Sequence, residues 1–226
     1  MFGFEDIREL FKKEIENDKQ AVKLWQAVVN GGGYAATARY ARRIGEDLAR
    51  VLFKYAPEAI DEWDLNDLLP RSLGLDMNYV VKACAETHAI QTKELGVGIK
   101  FQEVGFNTDR AYGIVTELEG STNFSEIYDK IKNQFANFSE SVVDDEIRTN
   151  AQTMWRAGIK TQVIRRAEST ACAWCNSVSG AYDYSEVSET GSDVWRRHVG
   201  CHCLIDFIAQ KDNGLYTSRI NNQKRR

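Results

Sequence analysis

The sequence predicts a mainly α-helical N-terminal region followed by a small α+β module, and three observations support this. Two prolines in 226 residues, Pro57 and Pro70, leave long stretches free to be helical. Before Gly158 the apolar residues recur every three or four positions, whereas beyond it short β-prone runs separated by turn residues take over. Four of the five cysteines and two of the three histidines lie between Cys172 and Cys203.

Ile7, Leu10, Phe11 and Ile15 stand at helical spacing, Val22, Trp25, Val28 and Val29 continue the pattern, and Gly31 to Gly33 stop it. From Tyr34 through Ala38, Ala41, Ile44 and Leu48 to Tyr55 the rhythm holds for about six turns and ends before Pro57, so the two segments read as a helical hairpin. Asp76 is placed to cap a helix bearing Met77, Val80, Val81, Cys84 and His88. On that face Cys84 reads as a small buried hydrophobe and His88 as a core or boundary histidine, because no second donor stands at ligand spacing. Residues 96–106 mix glycines with alternating apolar positions and suit a short ribbon or loop. Two further helices are predicted, Ser121 to Phe135 with Phe124, Ile127 and Ile131, and Val142 to Gly158 with Ile147, Ala151, Met154 and Trp155.

Beyond Gly158, Thr161 to Ile164 predicts a strand, and Gly180 turns into a second at Ala181, Tyr182 and Tyr184. Leu204 to Ile208 predicts a third, and Ser192 can cap a short helix running through Trp195 to His198. The expected organisation is a helical docking region over residues 1–158, an α+β module over 159–210 and a flexible basic tail over 211–226. A module of that size has too little core to be secure alone and commonly depends on a metal or a disulfide.

The formal charge of −4 conceals two unlike halves. Residues 1–147 hold 17 Lys and Arg against 26 Asp and Glu, while residues 148–226 hold 12 against 7. The C-terminal surplus is small, so charge by itself does not define a nucleic-acid binder, although Arg196, Arg197, Lys224, Arg225 and Arg226 are the candidates for touching nucleic acid or an acidic partner. No run of about 18 apolar residues exists to span a membrane. The first residues, MFGFEDIRELFKKEIEND, interleave charge where a signal peptide needs an apolar centre, so the chain is expected to stay in the cytosol or in something assembled there. Walker and dinucleotide glycine motifs are missing, which argues against a phosphate-loop enzyme, and no small-molecule substrate is expected.

In a reducing compartment, clustered thiols point to metal or catalysis rather than to disulfides. Cys172 and Cys175 form a C-x-x-C pair, and after 22 intervening residues come His198, Cys201, His202 and Cys203. Sulfur and imidazole in a four-coordinate shell are the donors zinc prefers, so four of Cys172, Cys175, His198, Cys201 and Cys203 are expected to hold one structural zinc per chain. His202 ranks last, because alternation along a strand turns it away from its neighbours. A redox C-x-x-C would need a βαβ context, and a deaminase would need Pro before Cys172, where Ala171 stands, and H-x-E, where His88 is followed by Ala89 and Ile90. The enzymatic alternative that stays open is a zinc-dependent nuclease working through His198 with Arg196 and Arg197; a nucleic-acid-binding module acting through the tail is the other alternative.

One further pattern combines these features. Arg148-Thr149, a helix ending at Gly158, a strand over Val163 to Arg166, Cys172-Ala173-Trp174-Cys175, Gly180 with Tyr182 and Tyr184, and His198-Val199-Gly200-Cys201-His202-Cys203 follow one another in that order. The order resembles the C-terminal domain of phage head-morphogenesis proteins, the minor capsid family named after the F protein of phage Mu, over about residues 120–210. The resemblance implies a non-enzymatic structural protein, present in few copies in the head of a tailed bacteriophage near the portal. Its implied partners are portal, major capsid or scaffolding proteins, with packaged DNA reachable by the basic tail. Its implied location is the virion, and the host cytoplasm during assembly.

Overall fold

Residues 3–55, 65–118, 124–187, 193–198 and 200–210 are described by the computed structural model of the protein, and most of them are helical. The apolar spacing of the first 55 residues builds α1 (Phe4–Asn17), α2 (Lys19–Val29) and α3 (Gly33–Tyr55). Asp18 separates the first two, its carboxylate accepting the Gln20 N–H at 2.7 Å to cap α2. Gly31 and Gly33, with φ of +81° and +67°, make the turn into α3. Then follow α4 (Leu65–Leu95), α5 (Thr108–Leu118) and α6 (Phe124–Arg156). No described helix is long and apolar enough to cross a membrane.

The helical packing centres on α3 and α6, which lie along each other more extensively than any other pair. Gly45 permits this: a methyl group there would stand 2.5 Å from both the Phe135 carbonyl oxygen and Ser139 Oγ. Ser139 Oγ in turn lies 2.8 Å from Asp76 Oδ2, so α4 joins the same crossing through a buried polar pair. Asp76 therefore sits in the middle of α4, not at its cap. The helix begins at least eleven residues earlier, because Leu65, Leu69 and Leu73 carry the apolar stripe back by steps of four, with Pro70 tolerated in the second turn.

Two expected helices, Ser121 to Phe135 and Val142 to Gly158, are one continuous helix, α6; Ser121 itself lies outside the described residues. Residues 137–141 show no apolar stripe, yet they contain no Gly or Pro to break the helix, and their polar side chains are held by tertiary partners. Residues 96–106 form no ribbon. Their backbone groups pair with helix side chains instead: Asn150 exchanges two hydrogen bonds with Gln102, at 2.8 and 2.9 Å, and Glu146 Oε1 accepts the Val104 N–H at 3.0 Å. His88 Nε2 bonds the Ile99 carbonyl at 3.0 Å, so His88 is a buried, partnered histidine, and Cys84 is fully buried.

The C-terminal part contains β1 (Lys160–Arg166), α7 (Ala173–Ser177), β2 (Gly180–Asp183), α8 (Tyr184–Val187), a 3-10 turn at Asp193–Trp195 and β3 (Leu204–Gln210). Ser192 lies outside the described residues, as does the tail 211–226. The three strands form an antiparallel sheet in the order β2-β1-β3, with Val163 opposite both Tyr182 and Phe207. Thr161, Val163 and Arg165 share the buried face of β1. β3 packs against α3 and α6, and the Tyr34 and Phe207 rings meet at 5.3 Å. One continuous apolar core thus runs from Ile7 to Ala209.

Replacing Gly45 by Ala is expected to destabilise the protein by about 1–3 kcal/mol in urea denaturation, because the added methyl must push α3 away from the backbone of α6. Glu146 yields a pH effect. Burial raises its carboxyl pKa to about 7, outweighing the bonds from Val104 and Asn150. The folded state therefore holds this proton more tightly than the unfolded chain does, and stability falls as pH rises from the ordinary glutamate range through about 7. Glu146→Gln should flatten that slope, measured as the urea midpoint against pH.

Candidate metal centre

Cys172 is the N-cap of α7, and its sulfur accepts the Cys175 N–H at 3.4 Å. One helical turn then turns the Cys175 side chain to the same side, which is the physical content of the C-x-x-C spacing. The second group of donors comes from a separate turn. The Cys201 N–H bonds the His198 carbonyl at 3.0 Å, and Gly200, with φ of +72°, provides the left-handed residue that closes it. Cys203 stands immediately before β3.

These two turns bring all five predicted donors together. His198 Nε2 lies 3.3 Å from Cys172 Sγ and 3.1 Å from Cys175 Sγ, and Cys175 Sγ lies 3.5 Å from Cys201 Sγ. Two donor groups result, Cys172 with Cys175 and His198, and Cys175 with Cys201 and Cys203, which share Cys175. In each, the donor atoms are within 4.8 Å of one another. A tetrahedral zinc with bonds of about 2.3 Å to sulfur and 2.0 Å to nitrogen separates its donors by roughly 3.5–3.8 Å. The observed spacings are close to that and far from a sulfur–sulfur bond of about 2.05 Å. The cysteines are free thiols, and the donor set could hold a metal ion.

Cys175, Cys201 and Cys203 form a buried floor, while Cys172 and His198 close the site from the solvent side. The environments differ accordingly. The Cys175 backbone N–H, with help from the neighbouring side chains, brings the Cys172 thiol down to about 7. Burial pushes Cys175 up to about 12. At Cys201 burial opposes ionisation, but the Cys203 backbone N–H, Cys175 and the Arg197 charge carry the pKa below the ordinary thiol value.

The turn that presents His198 and Cys201 is fastened to α6. Arg197 donates through Nε and Nη2 to the two oxygens of Asp144, the latter at 3.0 Å, and through Nη1 to the Cys201 carbonyl at 3.0 Å. His202 Nδ1 lies 2.9 Å from Glu140 Oε2. Arg42 of α3 reaches the same carboxylate from the other side, Nε to Oε1 at 3.2 Å, and bonds the His202 carbonyl at 3.3 Å. With its amide oriented to satisfy both groups, Asn137 accepts the Gly200 N–H at 2.7 Å and donates to the Cys201 carbonyl at 3.1 Å. Asn137, Glu140 and Asp144 are spaced three and four residues apart, so one face of α6 carries most of the attachment and Arg42 of α3 completes it.

His202 is thus turned to Glu140 and belongs to neither donor group. Arg196 is exposed. Arg197 is not a solvated basic edge: its side chain is 8% exposed and ion-paired with Asp144, which makes it unavailable to a nucleic acid or an outside acidic partner. Lys224, Arg225 and Arg226 lie outside the described residues. A cleft of about 580 Å³ opens between α5, α6 and residues 195–198. Its lining mixes Arg110, Arg148 and Arg196 with Glu117 and Asp145, and His198 borders it with Nε2 directed at the sulfurs.

Arg165, Arg42, Asn137, Glu140 and Asp144 escaped the sequence reading. The three-and-four spacing of Asn137, Glu140 and Asp144 was present, but polar residues at that spacing normally mark the solvent face of a helix. Comparison with protein-family models, curated proteins and solved structures finds no match to this chain.

Removing Arg197 leaves Asp144, 4% exposed, without its cation, while the fully buried Glu140 keeps Arg42. Arg197→Met is expected to cost about 3–5 kcal/mol in urea denaturation. The pair Arg197→Met with Asp144→Leu should be less damaging than the sum of its parts, because the second change removes the stranded charge.

Proposed function

We propose that this chain is a structural protein whose C-terminal segment is fastened by one zinc ion, held by four of Cys172, Cys175, His198, Cys201 and Cys203. The convergence of these donors from two turns of the chain carries the reading. A bound zinc supplies four strong directional bonds that join the α7 turn to the turn before β3. Four thiolates, or three with His198, fill such a shell, which leaves no place for a reacting water and favours a structural over a catalytic site. Clustered thiols whose backbone surroundings already lower Cys172 and Cys201 suit metal binding in a reducing compartment.

The biological setting we propose is the head of a tailed bacteriophage, as a minor capsid or head-morphogenesis protein docking against portal, major capsid or scaffolding proteins. The motif order over about residues 120–210 supports it, together with an acidic helical region joined to a sheet through one core. The protein would reside in the virion, and in the host cytoplasm during assembly. The zinc-nuclease alternative draws on the cleft beside His198 and Arg196, but it requires His198 to act on a substrate instead of facing two sulfurs.

Metal analysis of the reduced protein should give about one zinc per chain, and chelation should remove amide protection from α7 and residues 200–203 while α3 and α6 stay protected. A zinc content near zero sinks the metal centre. Mass spectrometry of intact particles from the source should find the protein, and its absence from virions overturns the capsid setting. His198→Ala should lose metal and local order together; loss of DNA cleavage with metal and order intact would establish the nuclease instead.

A further inference from the structure

The buried face of β1 ends in an arginine. Arg165 is 1% exposed, and its guanidinium is a charged group with five N–H donors and no acceptor. Burying that charge is costly unless it meets hydrogen-bond acceptors and an opposite charge. Nη1 has its acceptors: it donates to the Val194 carbonyl at 2.6 Å and to the Arg196 carbonyl at 2.7 Å. The guanidinium carbon lies over the Trp174 ring, 5.2 Å from its centre. Nη2 is directed at sulfur, 3.9 Å from Cys175 Sγ and 3.7 Å from Cys201 Sγ. Those two sulfurs come from different turns, one in each half of the donor cluster, and they stand 3.5 Å apart.

We propose that Arg165 is the built-in counter-charge of the metal centre and that Cys175 and Cys201, the two sulfurs it touches, bind the ion as thiolates. The inference rests on the metal reading above and deepens it. A divalent ion with three thiolates and one imidazole carries a single negative charge, and one guanidinium cancels it. Four thiolates would add a second negative charge, on which the Arg197 cation beside Cys201 also acts, so charge does not choose among the remaining donors; the contacts of Arg165 pick out Cys175 and Cys201. Arg165 acts through the sulfurs and not on the metal, so it is a positioning residue. By holding the carbonyls of residues 194 and 196 with the same guanidinium, it also ties the approach to His198 to the strand that carries it.

Cobalt(II) titration of the full chain, read by sulfur-to-cobalt charge-transfer absorption and by competition with a chromophoric chelator, tests this. The wild type should bind cobalt with thiolate bands. Arg165→Met should weaken cobalt binding by about tenfold or more, the usual effect of losing a partner of a metal ligand. Arg165→Lys, which keeps the charge but not the fork, should recover a clear part of that loss. Arg165→Met binding cobalt within about twofold of wild type overturns the proposal, and so does Arg165→Lys failing as badly as Arg165→Met, since the fork alone would then matter. If Arg165→Met does not fold, the wild type still decides. The Arg165 guanidinium protons, followed by NMR in arginine-labelled protein, should be protected from exchange with zinc bound and lose that protection on chelation; equal protection with and without metal overturns the proposal. A wild type that binds neither zinc nor cobalt defeats the metal reading itself, which separates that failure from failure of the Arg165 inference.

Discussion

Two carboxylates on one face of α6 govern how the C-terminal segment is arranged. Glu140 is fully buried and Asp144 nearly so, and neither position is tolerable for an isolated charge. Each is matched by cations that come from elsewhere: Arg42 from α3, and Arg197 and His202 from the turn that bears the donors. The cost of stranding a buried charge exceeds the gain from pairing it, so these contacts specify an arrangement more than they add stability. The turn over residues 197–202 accordingly has one acceptable seat on the helix. Seated there, His198 and Cys201 face α7 and His202 faces away.

This attachment clarifies the part a metal would play. The sheet does not stand on its own core, because β3 packs on α3 and α6 and the apolar interior is continuous. The remaining excursions run from the end of β1 to α7 and from α8 to β3, and among their described residues Val194 and Trp195 pack on the main apolar core. Clamping sulfurs from both excursions shortens the loops that the chain must close. Electrostatic seating on α6 and metal coordination are therefore complementary: the first places one turn, and the second binds the other turn to it.

The same helix is used a second time further along. Glu146 and Asn150 take up the backbone groups of residues 102–104 that a neighbouring strand would otherwise pair. A side-chain amide presents one donor and one acceptor with the geometry of a peptide group, so Asn150 can stand in for a strand partner. The polar character of α6, which reads as solvent-facing, is thus spent on internal contacts at both places. That leaves a long element joined to α3, α4, β3 and two loops, a suitable frame for a protein proposed to dock within a larger assembly.

Much of this was determined by the sequence alone. The three-and-four apolar rhythm marked residues 4–55 as helical but as a two-helix hairpin, missing the break at Asp18 between α1 and α2; the β-prone runs after Gly158 placed all three strands, and the C-x-x-C and H-x-x-C-x-C spacings brought out the five donors. Those features are local: a helix face, a pleat and a turn are set by residues a few positions apart. Tertiary structure decided the rest. It made α6 one helix through residues 137–141, extended α4 back past Asp76, and assigned Arg197 and His202 to internal partners. It also buried Arg165 among the sulfurs of residues ten and 36 positions away. A charged residue is written identically whether it meets solvent or a buried partner, and only the folded chain supplies the partner that makes burial affordable.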